Sequence, residues 1–367
     1  MVYRKVLSPV ICGILRDAET AHDIALCLLA HVNRHRGLCE YVARHTRVDD
    51  PRLQQKILGI SFRSPIGVAA GFDKNGVALR SLEALGFSHI EMGTITPRYQ
   101  EGNPRPQMSR FPKEGAIINR MGFNNDGMES IPGRLAIRSE KWIPLGISLG
   151  KGKDTPLEKA ARDYQAVLRT LHNYGDYFVL NVSSPNTQGL RTLQGKEQLT
   201  LLLERVQRTL HAYPRLYQMQ DGIERLPKPL LVKLSPDLTW SEIDELIEVC
   251  LAHQVSGLIA TNTTTGRKGL RTLTTEMGGL SGKPLFPRSL EIVRYLRRNL
   301  PLGFPIIGVG GISTADDAYM MLRAGADLLQ SYTGFVYGGP FFARELNRGI
   351  LKRMEREGIT HISQLHG

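Results

Sequence analysis

From residue 65 onward the hydrophobic pattern keeps changing its period. Short apolar runs alternate with longer stretches in which apolar positions recur every three or four residues. The short runs, at 66–70, 89–95, 143–149, 177–182, 230–234, 257–261, 305–309 and 327–331, predict strands. The longer stretches, at 76–85, 156–173, 196–212, 241–253, 287–300 and 314–324, predict amphipathic helices. Strands alternating with helices call for a parallel sheet. Eight such units predict an α/β fold closed into a (β/α)8 TIM barrel, with an open doubly wound sheet as the alternative.

Residues 1–40 follow another pattern. SPVICGILR is short and apolar; Asp17 then precedes a stretch with Ala21, Ile24, Ala25, Leu28 and Val32 at helical spacing, so two short helices are expected. Such a pair either caps the barrel or lies on a membrane surface with Arg4, Lys5, Arg16, Arg34 and Arg36 toward lipid head groups. Two segments interrupt the repeat. Residues 96–125, rich in Pro, Gly and Arg, are expected to form a loop over the barrel mouth, and 190–198, with Gly189 and Gly195 as hinges, a flap or a plain loop.

In a closed barrel of this kind, reactive groups gather at the C-terminal ends of the strands. Polar residues stand at those ends: Gly71, Asp73 and Lys74; Thr94; Ser148; Asn181 with Ser184; Lys233; Thr261 with Asn262; Gly310 with Gly311; Tyr332 with Thr333. The stretch NVSSPNTQGLR at 181–191 is the strongest candidate reaction centre. Pro185 biases Ser184 toward an extended backbone and stiffens the turn, and Asn181 and Asn186 offer amide groups to a planar polar ligand. An ordinary turn satisfied by its own side chains is the alternative. GVGGIS at 308–313 lies between a strand and a helix start, where glycines let backbone N–H groups approach a phosphate. It is no dinucleotide fingerprint, because Ser313 occupies the third glycine position.

Composition narrows the chemistry. The 367 residues carry a formal charge of +12, but Lys and Arg are scattered without an aromatic RNA-binding motif, so no nucleic-acid partner is expected. Four cysteines lack metal-like spacing, and no HExxH occurs, so no metal site is expected. No apolar run reaches membrane-spanning length, and the first residues lack a cleavable signal or a transit peptide. One aimed Ser, two Lys, several Asn and a phosphate cradle suit proton abstraction coupled to electron transfer into a bound cofactor.

The motifs AAGFDKNG at 69–76, EMGTITPRYQEGNPRPQ at 91–107, INRMGFNN at 118–125, NVSSPNTQGLR, VKLSPDL at 232–238, ATNTT at 260–264 and GVGGIS together resemble the dihydroorotate dehydrogenase family, in its membrane-associated, quinone-dependent class. AHDIAL around His22, and Ser184 where soluble relatives use Cys, mark that class. The resemblance implies oxidation of dihydroorotate to orotate in pyrimidine (UMP) biosynthesis, with FMN as cofactor and a membrane quinone, ubiquinone or menaquinone, as acceptor. It implies Ser184 as the base, with Thr187 and Phe123 lining its proton relay. Lys74, Asn119, Arg120, Met121, Gly122, Phe123, Asn181, Asn186, Asn262 and Thr263 match the substrate pocket. The FMN positions are Ala70, Gly71, Phe72, Asp73, Lys74, Thr94, Ser148, Asn181, Lys233, Thr261, Gly282, Gly311, Tyr332 and Thr333. Ser148 stands where the family usually has Asn, which puts that contact in question. His22, Arg110 and Tyr332 match the quinone site. Residues 1–40 then read as the quinone and membrane-associating segment, 41–367 as the FMN-binding barrel, and the location as peripheral, on the cytoplasmic face of the cell inner membrane.

Two rival readings stand beside this one. A tRNA dihydrouridine synthase shares the flavin barrel but needs a catalytic Cys and an RNA-binding domain, whereas Cys250 falls inside a predicted helix and little chain follows Tyr332. A flavin-binding or membrane-associated protein without turnover has only Ser148 in its favour.

Overall fold

All eight apolar runs pair side by side in the computed structural model, which describes residues 17–136, 143–213, 215–219 and 222–365. The strands are β1 (Ile66–Val68), β2 (His89–Ile95), β3 (Leu145–Leu149), β4 (Tyr177–Asn181), β5 (Leu230–Leu234), β6 (Gly257–Ala260), β7 (Ile306–Val309) and β8 (Leu328–Ser331). Every pair is parallel, and β8 returns to β1 with Gln330 opposite Gly67, which closes the barrel. Helices lie between them at Leu79–Ala84, Ala160–Leu171, Lys196–Ala212, Trp240–Ala252, Phe286–Asn299 and Ala315–Arg323. These match the expected helices to within a few residues. The first is the shortest relative to expectation, because Asp73 ties down the preceding turn: its carboxylate accepts the N–H of Val77 at 3.0 Å and of Ala78 at 2.8 Å.

Alternate residues of a strand face opposite sides. Outward-facing Ile66, Val68, Met92, Ile147 and Leu180 are buried beneath the helices. Inward-facing Val179, Leu231, Ile259 and Ile307 fill the barrel, and Ile60 and Phe62, from a hairpin of Gln55–Ile57 with Ile60–Phe62, join them. Two polar aromatic side chains also enter the interior, each where a neighbouring strand carries glycine. A Cβ on Gly67 would stand 2.2 Å from Nε2 of His89, and a Cβ on Gly146 would stand 2.3 Å from the Tyr177 ring. Those glycines supply space rather than a special backbone angle.

At the N-terminal side, α1 (Ala18–Asn33) begins where the sequence places its cap: Asp17 accepts the N–H of Thr20 at 2.8 Å. A second helix, α2 (Arg36–Thr46), runs across residue 40, the limit drawn from composition. Asn33 ties the pair to the barrel, its Oδ1 accepting the N–H of Arg80 at 2.7 Å, while Ser81 donates to the Leu29 carbonyl at 2.6 Å. The first of the two helices expected in 1–40, with Arg4, Lys5, Ile11, Ile14 and Arg16, lies outside the described residues.

Residues 96–125, expected to form a loop over the barrel mouth, hold regular structure. They carry two strands, Met108–Phe111 and Ala116–Asn119, which pair antiparallel, and Gly279–Gly282 adds a third. The apolar Ala116, Ile118 and Leu280 form a small core of their own, which is what the composition concealed. A hairpin of Arg215–Met219 with Gly222–Leu226 and a helix Phe342–Arg356 also went unforeseen.

The Gly146 site gives a packing test. Gly146→Ala forces the Tyr177 ring to move inside a filled barrel and is expected to lower stability by about 1–3 kcal/mol in urea unfolding. Gly133→Ala, in a helix with nothing within 4 Å of the new methyl, is expected to be neutral or to stabilise by up to about 1 kcal/mol.

Candidate active site

The C-terminal strand ends enclose a cavity of about 140 Å³. All the strands but β3 feed it, because the chain must leave the ladder there, freeing polar groups that a buried strand could not carry. Ala70, Gly71 and Lys74 follow β1; Thr94 lies near the end of β2; Asn181 ends β4 and leads to Ser184 and Asn186. Lys233 comes from β5, Thr261, Asn262 and Thr263 follow β6, Gly310 and Gly311 follow β7, and Tyr332 and Thr333 follow β8. The antiparallel sheet adds Asn119, Ser281 and Gly282, and the turn after it adds Met121, Gly122 and Phe123.

A chain of amides and hydroxyls fixes the walls. Asn181 Nδ2 donates to Thr94 Oγ1 at 2.7 Å, and Asn262 Nδ2 donates to Asn181 Oδ1 at 3.2 Å and to Ser183 Oγ at 3.0 Å. Asn186 Nδ2 donates to Asn119 Oδ1 at 3.1 Å, while its carbonyl accepts from Asn103 at 3.0 Å. Four Asn side chains therefore face one space with their orientations set by one another, an arrangement suited to the donor and acceptor edges of a planar heterocycle. Phe123 adopts φ +58°, a left-handed conformation uncommon for an aromatic residue, and its carbonyl is held by Gln100 Nε2 at 3.0 Å and Asn125 Nδ2 at 2.7 Å.

Ser184 is buried on this wall, and its Oγ accepts the Asn186 N–H at 3.3 Å. Gly279 is required beside it: a Cβ there would lie 1.9 Å from Thr263 Oγ1 and 3.0 Å from Pro185. The stretch after the turn is anchored rather than free to swing. Leu190 and Leu193 are buried in a 3-10 turn, Leu190–Gln194, and Gln194 Oε1 accepts the Ser235 N–H at 2.8 Å. Arg191 is the hub. Its Nε donates to the Ser183 carbonyl at 3.3 Å, Nη2 to the Thr263 carbonyl at 3.1 Å, and Nη1 pairs with Asp237 at 2.8 Å.

Two cations face the cavity. Lys74 is 8% exposed, and burial lowers its pKa to about 8 against the opposing pull of Asp23, Asp73 and Glu19. Lys233 Nζ lies 3.3 Å from both carboxylate oxygens of Glu91. Beyond Lys74 and Met121, which line both spaces, a second cavity of about 130 Å³ opens under α1, with His22, Asp23, Leu26 and Phe72 on its wall. Burial, then the Lys74 charge, lowers the His22 pKa to about 3, so the ring is neutral at physiological pH. His22 stacks at 6.3 Å on Tyr332, whose hydroxyl burial pushes well up from the usual phenol range. Tyr332 thus separates the two cavities.

Several expected residues stand elsewhere. The Asp73 carboxylate is taken up by the N–H groups of Val77 and Ala78, and Phe72 packs against Tyr332 and Phe335. Ser148 points into the barrel, but Thr94 lies between it and the cavity, the two hydroxyls 3.0 Å apart, so its nearest effect is on Thr94. Arg120 is directed away, its Nε donating to the Pro106 carbonyl at 2.8 Å. Thr187 is buried with no hydrogen-bond partner for its hydroxyl, and it does not line the cavity. Arg110, on Met108–Phe111, lines neither cavity. Among the described residues no group of three or more His, Cys, Asp or Glu is arranged to hold a metal ion.

The family described as dihydroorotate dehydrogenase matches residues 52–354, which include every strand of the barrel and this cavity. The chain belongs to that family. A Chloroflexus aurantiacus protein named dihydroorotate dehydrogenase (quinone) is 49% identical over 356 residues, 96% of each chain. A Thermus thermophilus protein of the same name is 47% identical, covering 95% of this chain and 97% of its own. A crystal structure of DHODH in complex with ferulenol, from Eimeria tenella, superposes with a TM-score of 0.86 at 36% identity, covering 98% of both chains.

Within this dihydroorotate dehydrogenase scaffold, sequence reasoning passed over Glu91, Gln330 and the bridging role of Arg191. Glu91 and Gln330 carried a signal: each is a polar residue inside an apolar run, and a buried charge needs a partner. Arg191 had none, since two of its three acceptors, on Asp237 and Thr263, come from distant loops. Arg191→Lys cannot reproduce the fork, and a loss of about 1.5–3 kcal/mol in local opening is expected. Hydrogen exchange across 183–195 and 263–265 should then run roughly 10- to 150-fold faster, with the strands unaffected.

Proposed function

We propose that the chain oxidises dihydroorotate to orotate with FMN bound in the main cavity and passes the electrons to a membrane quinone, ubiquinone or menaquinone, as a step of pyrimidine biosynthesis. One observation carries the reading: one cavity unites Ser184, the Lys74 ammonium, four Asn side chains and the glycine-lined end of β7 and β8. Family membership supplies the substrate class.

The residues fit FMN. Gly282, Gly310 and Gly311 line the cavity with φ of +94°, +120° and +76°, backbone that leaves N–H groups free of side chains beside a phosphate. Both polar atoms of the buried Gln330 amide lack a hydrogen-bond partner, and Gln330 lines this space. Ala70, Gly71, Thr94, Lys233, Thr261, Thr333 and Tyr332 would hold the ring and ribityl chain. Bound FMN would supply the acceptor for a hydride equivalent. Lys74, which is an ammonium below about pH 8, pairs with the substrate carboxylate, and Asn119, Asn181, Asn186 and Asn262 read the ring edges. The C–H next to the ring carbonyl leaves as a proton, taken at Ser184 Oγ, as the neighbouring carbon gives up its hydride. A Ser hydroxyl is a weak base near neutral pH, so burial of this wall and exclusion of bulk water are part of its activation.

The quinone half of the reading rests on α1 and its surroundings. Ala18, Met108 and Ile117 form an apolar cluster with Met121, Tyr332, Val336 and Tyr337, which leads from α1 to the ring that separates the cavities. Ile24, Leu28, Leu38 and Tyr41 are exposed on α1 and α2, a surface suited to the membrane interface, and among the described residues no helix is long and apolar enough to cross a membrane. The protein then works as a peripheral enzyme on the cytoplasmic face of the inner membrane, with His22 and Tyr332 closest to the acceptor.

Ser184→Ala is expected to keep its flavin yet slow anaerobic flavin reduction by dihydroorotate by roughly 10²- to 10⁴-fold in stopped flow. Reduction at the wild-type rate would remove Ser184 from the chemistry. Leu28→Asp, at a position 63% exposed, should leave that half-reaction untouched. It should weaken liposome binding, and turnover with a long-tailed quinone, by roughly 10- to 100-fold, the equivalent of one unburied Leu. Unchanged values in both assays would leave the helices as a cap only.

A further inference from the structure

The floor of the main cavity is built from charge. Lys233 reaches it from β5, and its Nζ lies 3.3 Å from each carboxylate oxygen of Glu91 on β2. The two side chains are 5% and 0% exposed, so water does not screen the pair. Between β2 and β5 stand β3 and β4, so the contact spans the barrel interior. The register makes room for it: Glu91 is paired with Gly146, which is paired in turn with Tyr177. An unpaired carboxylate at this depth would be strongly destabilising, which ties the position of Glu91 to that of the ammonium. Lys233 lines the cavity; Glu91 does not.

We propose that Glu91 is a positioning residue for electron transfer: it fixes Lys233 beneath the cofactor and offsets part of its charge, and thereby sets the reduction potential of the bound flavin. The inference rests on the FMN reading above. Two-electron reduction adds negative charge to the ring system, and an ammonium beneath the ring favours that state. A carboxylate 3.3 Å behind the ammonium opposes it. With both present, the site presents a fixed dipole rather than a bare cation, so the flavin gives up its electrons to the next acceptor more readily than Lys233 alone would allow.

The test is the midpoint potential of the flavin-loaded enzyme, measured by equilibration with a reference dye. Glu91→Gln keeps an oxygen for Lys233 and removes the charge. It is expected to raise the potential by at least a tenfold change in the reduction equilibrium, about 30 mV for a two-electron couple. Glu91→Asp keeps a buried charge but draws it one methylene back from Nζ, and its potential should fall between wild type and Gln. A wild-type or lower potential in either flavin-loaded variant overturns the proposal, and the Asp variant decides it if Gln does not fold. Wild-type protein that purifies without flavin absorbance and takes up no FMN would instead defeat the functional reading itself.

Discussion

The parallel ladder between β8 and β1 is the constraint on which the rest of the molecule depends. Once Gln330 stands opposite Gly67, there are no free sheet edges in the barrel and no freedom in which residues face inward. Residues as distant as Glu91 and Lys233 are then forced into contact, and Thr94, Asn181 and Thr261 are delivered to one rim. The polar floor follows from that closure. It would be untenable in an open sheet, where an inward-facing Glu91 would have neither partner nor shielding.

The barrel was legible because its signal is long-range and redundant: eight apolar runs of similar length, each followed by a polar end. The rim residues were legible for the same reason, since strand ends locate them without any knowledge of contacts. What the sequence did not disclose depends on direction rather than on type. Asp73 and Lys74 are adjacent, yet one carboxylate is taken up by the turn that follows it and the other side chain enters the cavity. Ser148 and Thr94 come from neighbouring strands, and only the three-dimensional order puts Thr94 in front. The strands at 108–111 and 116–119 were hidden by their flanking Pro, Gly and Arg, because their small core is completed by Leu280, far along the chain.

The electrostatics of the site likewise come from packing. Lys74 owes its lowered pKa to burial, and His22 owes its neutrality to burial and to Lys74. Charge at the mouth therefore changes with how closely α1 sits on the barrel, and Asn33 and Ser81 are the contacts that hold it there. The N-terminal helices and the catalytic barrel form one electrostatic unit even though their sequences look unrelated.

The antiparallel sheet over the mouth has a consequence for assembly. Ser281 donates to the Ile117 carbonyl across 164 positions of sequence. Closing a loop of that length in an unfolded chain is costly in entropy, and the cost grows with the logarithm of its length. After the barrel has formed, the same two segments are neighbours, and their pairing becomes a local docking event. A barrel already closed therefore lowers the entropic cost of completing the wall that Asn119, Ser281 and Gly282 give to the cavity.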